Sequence, residues 1–286
     1  MNALVLGLIA AVAWGIHDIL VRYVSRTIGI VQSMFFVLVF GGFVWLIIAL
    51  IFGGLGKLNT DDTTLSIAAG VCFSIALIGH YNAFAKGPVR IVAPIIGTFA
   101  VVAFGIAAIL GKDITIAQWL AVLVLVAGIA LVARQQDDQA LDYSFIKLMS
   151  WCVVAIFGFA FTFALGQEVS SNGDPIMGGF VTRLTATLIM AVIYLYTRMK
   201  APQTKLKLAP RQWAILFLIG MLDAIALGVV LAAGIYPNAE YASAASAIFG
   251  LITVLIAWIF LKEKINIVQW SGIFITFASI SFLASQ

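Results

Sequence analysis

Ile114-Thr115-Ile116-Ala117-Gln118-Trp119 opens one long apolar stretch of the chain, and Ile265-Asn266-Ile267-Val268-Gln269-Trp270 opens the last one. The match does not stop at six residues. At the same offset Leu110 answers Leu261, Ala127 answers Ala278 and Ala133 answers Ala284, and near the N-terminus Gly7 answers Gly158, Ala13 answers Ala164 and Gly15 answers Gly166. The chain therefore reads as two copies of one unit, residues 1–134 and 145–286, joined by a polar connection at 135–144 with three aspartates, Asp137, Asp138 and Asp142.

Composition gives the environment of that unit. Of 286 residues, 63% are hydrophobic and 10% charged, against about 45–50% and about 25% in soluble domains. Lipid offers the backbone no hydrogen-bond partners, so spanning segments are helices or closed barrels, and continuous apolar runs of about 20 residues select helices. The reading is an all-α integral membrane protein in contact with a lipid bilayer. A net charge of +4 forms no basic stripe with interleaved aromatics, which argues against a nucleic-acid partner. Cys72 and Cys152 lie within apolar runs and read as packing residues.

The runs fall at about 2–22, 30–52, 65–85, 89–110 and 115–133 in the first half, and 145–167, 176–197, 212–235, 239–261 and 266–284 in the second. That makes ten transmembrane helices, five per copy. An odd number returns the chain on the opposite side, so the second copy enters the membrane inverted, the arrangement that lets transporters exchange outward and inward shapes around a central cavity. Arg22, Arg26, Lys86, Arg90, Arg134, Lys147, Arg198, Lys200, Lys205, Lys207, Arg211, Lys262 and Lys264 share one face, and Lys57 and Lys112 the other. The positive-inside rule places the first set in the cytoplasm and both termini outside.

Trp14-Gly15 in a small-residue first helix, Tyr81-Asn82-Ala83-Phe84-Ala85-Lys86-Gly87-Pro88 followed by Val92-Ala93-Pro94, and Ala257-Trp258 running to Lys264 before Val268-Gln269-Trp270 resemble the EamA repeats of the drug/metabolite transporter superfamily, closest to YddG-type amino-acid exporters. The resemblance implies a cavity lined by the first, third and fourth helices of each half. It implies export of amino acids, aromatic ones included, or related metabolites across a bacterial inner membrane, with no cofactor. Nucleotide-sugar or multidrug transport within the same superfamily is the alternative. Where that family often carries an acidic residue before its fifth helix, this chain has Gly111-Lys112-Asp113 in one half and Lys262-Glu263-Lys264 in the other.

Ionisable side chains at membrane depth cost several kcal/mol and need a purpose. Arg183 and Asp223 lie at matching depths, which suits an ion pair joining two helices or an Asp223 that faces the cavity. Trp14, His17 and Asp18 share one helical stripe and Ser74, Tyr81 and Phe84 another, with His80 adjacent. Facing inward, these would supply a carboxylate for an ammonium group, imidazoles and aromatic faces; facing outward, the histidines would sit at the headgroups. Thr98, Ser243 and Ser246 add hydroxyls to a substrate site or small surfaces for helix packing. Pro88, Pro94 and Pro237 are candidate hinges. Two histidines without an acidic cluster make a poor metal site. An intramembrane enzyme is disfavoured, because Gly220-Met221-Leu222-Asp223 lacks the Gly-x-Gly-Asp form of membrane aspartyl proteases and the chain carries neither a serine elbow nor His-Glu-x-x-His. The sequence leaves proton coupling and facilitated diffusion equally open.

Overall fold

The computed structural model describes residues 2–53, 58–133, 144–200, 208–261 and 266–285. Its secondary structure is entirely helical. The elements are α1 (Ala3–Thr27), α2 (Ile30–Phe52), α3 (Thr60–Lys86), α4 (Val89–Gly97), α5 (Phe99–Ile109), α6 (Ile116–Ala133), α7 (Phe145–Asn172), α8 (Pro175–Lys200), α9 (Pro210–Ala232), a 3-10 turn (Ala233–Ile235), α10 (Glu240–Ser246), α11 (Phe249–Leu261) and α12 (Ile267–Ala284). Among the described residues 7 helical stretches are long and apolar enough to cross a bilayer: α1, α2, α3, α4 with α5, α7, α8, and α9 with its 3-10 turn. The helices α6 and α12 are equally apolar but shorter.

The repeated hexapeptide is a helix start. In the first copy the Thr115 backbone N–H donates to Gln118 Oε1 (2.8 Å) while the Gln118 N–H donates to Thr115 Oγ1 (3.2 Å). In the second, Asn266 and Gln269 make the same reciprocal pair at 3.0 and 2.9 Å. Such a capping box satisfies two N–H groups that a helix would otherwise leave bare. The same logic moves the start of α3 from the expected 65 back to Thr60. Asn59 Oδ1 accepts the Asp62 N–H at 2.7 Å, and Asp61 and Asp62 complement the positive end of the helix dipole.

Two expected spans are broken. The fourth run is interrupted at Thr98, one turn beyond Pro94, and the ninth at Ala247–Ile248 between α10 and α11. Proline is not the cause in common, since the second copy has Ala245 where the first has Pro94. What the breaks share is each other. Gly97, at the end of α4, faces the Ala247 carbonyl, which a Cβ would approach to 3.2 Å, and Gly250 faces the Ala93 backbone at 3.3 Å. The two interruptions cross where glycine lets backbone approach backbone closely.

Contacts between the halves come in exchanged pairs. Helix α1 packs on α9 and α3 on α7; α2 packs on α9 and α3 on α8; α1 packs on α10 and α11, and α7 on α4 and α5. The second helices, α2 and α8, meet each other, as do α6 and α12. The α3–α7 contact is tight because Gly79 opposes the Trp151 carbonyl and Gly158 opposes Ala76, with Cβ positions only 2.6 and 2.7 Å from those atoms. Phe43, Leu50, Phe52, Leu188, Val192 and Leu195 lie exposed on the outer surface, a band of apolar area that suits lipid and not water.

Candidate substrate site

The site lies between the halves, at the crossing of α1, α3, α7 and α9. Helix α1 runs on to Thr27, so His17 and Asp18 fall well inside it and not at its end. Asp18 is 0% exposed, His17 1% and His80 4%, which removes the headgroup-facing alternative for both histidines. Asp18 Oδ1 takes hydrogen bonds from His17 Nδ1 at 2.8 Å and from His80 Nε2 at 3.1 Å. An ionised carboxylate only accepts, so with Asp18 in that state both ring nitrogens donate to it. The far sides of the groups stay unsatisfied: His17 Nε2, His80 Nδ1, Asp18 Oδ2 and the Tyr81 hydroxyl are buried without a partner among the described residues.

A second ion cluster adjoins the first. Asp223 on α9 accepts the Trp14 indole N–H at 3.2 Å through Oδ1 and a guanidinium N–H of Arg183 through Oδ2. Arg183, wholly buried, also donates to the Val37 carbonyl at 3.3 Å and lies over the Phe73 ring. Its head fits because Gly41 leaves it room. Asp223 is thus at once half of the interhelical pair and a wall of the cavity, so the two sequence readings of this residue are compatible.

Aromatic rings complete the enclosure. Trp14 stacks on Phe163 at 5.6 Å and leans on Phe159 at 6.3 Å, and Phe99 meets Phe163 edge-on at 5.3 Å and stacks on Phe249 at 6.5 Å. These rings, with Leu77, His17, Asp18, His80 and Asp223, surround a cavity of about 20 Å³, room for about one water molecule. A solute of amino-acid size needs these rings to part.

Of the other residues singled out in the sequence, Phe84 packs on His80 at 4.5 Å, and Tyr81 is buried 6.4 Å from His17. Ser74 does not face the cavity; its hydroxyl bonds the Gly70 carbonyl of its own helix at 2.9 Å. Thr98 and Ser246 likewise donate to local carbonyls, Ile95 and Ser243, at 2.7 and 2.9 Å. Ser243 lines a different, larger cavity. Pro88 caps the start of α4, Pro94 sits within that helix, and Pro237 lies in the turn before α10, where Asn238 adopts a left-handed φ of 55°. The Lys262-Glu263-Lys264 turn lies outside the described residues. The sequence reading missed Phe99, Phe159, Phe163 and Phe249. Phe159 and Phe163 were within reach: they lie one turn apart on α7, the copy of the helix that carries Trp14 and Asp18.

His17, Asp18 and His80 offer three ligand atoms within 4.8 Å of one another. The arrangement does not fit a metal, because ligands about 2.1 Å from a tetrahedral ion stand about 3.4 Å apart, and both imidazoles are instead closed onto one carboxylate oxygen at hydrogen-bond distance.

At one end of the bundle three contacts tie the C-terminal end of α3 to α1 and α7. Arg22 Nη1 donates to the Gly87 carbonyl at 2.8 Å, Arg26 Nε to the Ala85 carbonyl at 3.2 Å, and the Lys86 ammonium lies 5.0 Å from the Trp151 ring centre.

Comparison with known proteins agrees with this architecture. A solved crystal structure matches 98% of this chain and 96% of its own with a TM-score of 0.71 at 12% identity, a likeness of fold alone. No curated protein matches the sequence significantly. The EamA-like transporter family matches twice, at residues 1–134 and 146–285, once for each half. With a membrane-length helical bundle, a duplicated unit and a buried polar site between the copies, the chain belongs to the EamA-like transporter family.

Proposed function

We propose that this transporter exports amino acids, aromatic ones among them, or related small metabolites across the inner (plasma) membrane of a bacterium by alternating access. The central cavity is its binding site. The observation that carries the proposal is Asp18, a fully buried carboxylate with an unpaired oxygen facing aromatic rings, a setting that suits an ammonium group attached to an apolar body. Ten spans arranged as two inverted five-helix repeats are supported by the exchanged helix pairs and by the matched breaks at Thr98 and Ala247–Ile248. The breaks, with the Pro88 and Pro237 turns, are where the halves would flex. The basic end would be cytoplasmic by the positive-inside rule, with both termini on the outer side.

Protein reconstituted in liposomes should pass labelled phenylalanine, and Asp18→Asn and Trp14→Ala should lower that flux at sub-saturating concentration. No flux of any amino acid, nucleotide sugar or organic cation, with or without a pH gradient, would overturn the reading. Stimulation by the gradient would identify the Asp18 cluster as a proton site. One observation favours a second reading, organic cations as substrates: Arg183 is engaged by Asp223, and among the described residues no lysine or arginine lines the central cavity to receive a substrate carboxylate.

A further inference from the structure

The larger cavity has what the central one lacks. It measures about 350 Å³ and lies between α5, α7 and the start of α10, with Lys112, Glu168, Glu240 and Ser243 among its walls. It sits one turn along α5 and α7 from Phe99 and Phe163, since Ala103 and Gln167 line it.

Its floor is held firmly. Gln167 Nε2 donates to the Val230 and Ala239 carbonyls at 3.0 and 3.1 Å, fixing the residue before Glu240. The Gln118 side chain, beyond capping α6, donates to the Tyr241 hydroxyl at 2.5 Å and fixes the residue after it, and Tyr241 stacks on Phe104 at 6.1 Å. Glu240 is thereby set in place from both sides and is only 7% exposed. The Ser243 hydroxyl, one turn further along α10, is 1% exposed and has no partner among the described residues. Lys112 stands on the opposite rim, just after Gly111, whose left-handed φ of 87° turns the chain back over the end of α5. Neither Lys112 nor Glu240 makes an ion pair within 4.0 Å among the described residues.

We infer that this vestibule is a second, peripheral binding site for a zwitterionic α-amino acid, with Lys112 receiving the carboxylate, Glu240 the ammonium and Ser243 a further hydrogen bond. A cation and an anion on facing walls, with a buried hydroxyl awaiting a partner, match the two charged ends that all α-amino acids share and leave the side chain unspecified. Selection for the backbone would occur here and selection for the side chain among the aromatic rings below. That division of labour rests on the transport reading; the binding itself does not.

The test is binding of labelled phenylalanine to the purified protein in lipid nanodiscs, with phenethylamine and 3-phenylpropanoate as competitors, each lacking one charged end. Lys112→Gln should weaken phenylalanine and 3-phenylpropanoate about tenfold and leave phenethylamine unchanged, because one charge-assisted contact is lost. Glu240→Gln should do the converse. Lys112 is exposed, so its replacement leaves the fold intact even if that of Glu240 does not. Asp18→Asn should leave vestibule binding in place. Absence of phenylalanine binding at millimolar concentration, equal effects of Lys112→Gln on all three ligands, or loss of binding in Asp18→Asn alone would overturn the inference. Vesicles that pass no solute while Lys112→Gln still discriminates the ligands would instead refute transport and leave the vestibule site standing.

Discussion

Replacing Arg183 with methionine leaves Asp223 buried opposite a hydrocarbon chain. Breaking a buried ion pair from one side costs about 3–5 kcal/mol, whereas exchanging both partners for apolar residues of similar volume is often neutral or better. Asp223 keeps the Trp14 indole as a donor at 3.2 Å, so Arg183→Met belongs at the lower end of that range. Asp223→Leu belongs at the upper end. It strands a guanidinium that stays charged at any reachable pH together with the indole N–H. At roughly 2 °C per kcal/mol for a chain of this size, the midpoint of thermal unfolding should fall by about 6 °C for Arg183→Met and about 10 °C for Asp223→Leu. In the double variant it should return to within about 2 °C of the parent, the buried-charge penalty having gone with the pair. The assay is a melting curve of all four detergent-solubilised proteins at one heating rate, followed by size-exclusion of the surviving monodisperse fraction. Additive losses in the double variant would refute the argument, since they would mean that the two side chains act separately. Flux provides the contrast: the double variant should remain inactive although stable, because Asp223 also walls the cavity.

Asp18→Asn should weaken apparent affinity for an amine-bearing substrate roughly 10- to 100-fold, the worth of one charge-assisted hydrogen bond, measured as the concentration dependence of liposome flux. Gly158→Leu should destabilise the α3–α7 interface by about 1–3 kcal/mol, read as a lower melting midpoint, because its Cβ would sit 2.7 Å from Ala76. Thr115→Ala and Asn266→Ala should each cost about 1 kcal/mol as lost caps, and their equality would reflect the shared origin of the two helix starts. Reporter domains fused to the N- and C-termini should both be active only outside the cytoplasm; opposite sides would rule out an inverted repeat.

Much of the architecture could be read from the sequence because duplication leaves marks that need no tertiary context. Gln118 and Gln269 cap the same helix in each half, and the apolar runs locate the bundle. The central cluster was half legible: the stripe of Trp14, His17 and Asp18 follows from helical spacing, and depth matching brings Arg183 to Asp223. That His80 closes on the same carboxylate as His17 required knowing how far α1 and α3 extend beyond their apolar cores. The breaks at Thr98 and Ala247–Ile248 were not legible. Hydrophobic runs report burial, not the continuity of backbone hydrogen bonds, and the one visible helix breaker, Pro94, lies a turn away from the interruption. The vestibule was missed for a different reason. Lys112 and Glu240 are far apart in sequence and ordinary at loop ends, and only the fold places them on one cavity.

The buried charges also give the site an electrical character. Asp18 and Asp223 set two carboxyl groups against one guanidinium, Arg183, so an ionised Asp18 leaves one negative charge that no arginine or lysine among the described residues offsets at the centre of the bundle. Any rearrangement that carries that centre through the whole membrane field works against, or with, about 2.3 kcal/mol per 100 mV. In the alternating-access cycle proposed above, an inside-negative potential would drive the vacant carrier towards the outer face, and a monovalent cation or a proton seated on Asp18 would cancel that bias. Polarisation of the cell would then favour empty molecules waiting outside; a zwitterion, bringing no net charge, would leave that preference in place, whereas an organic cation would remove it.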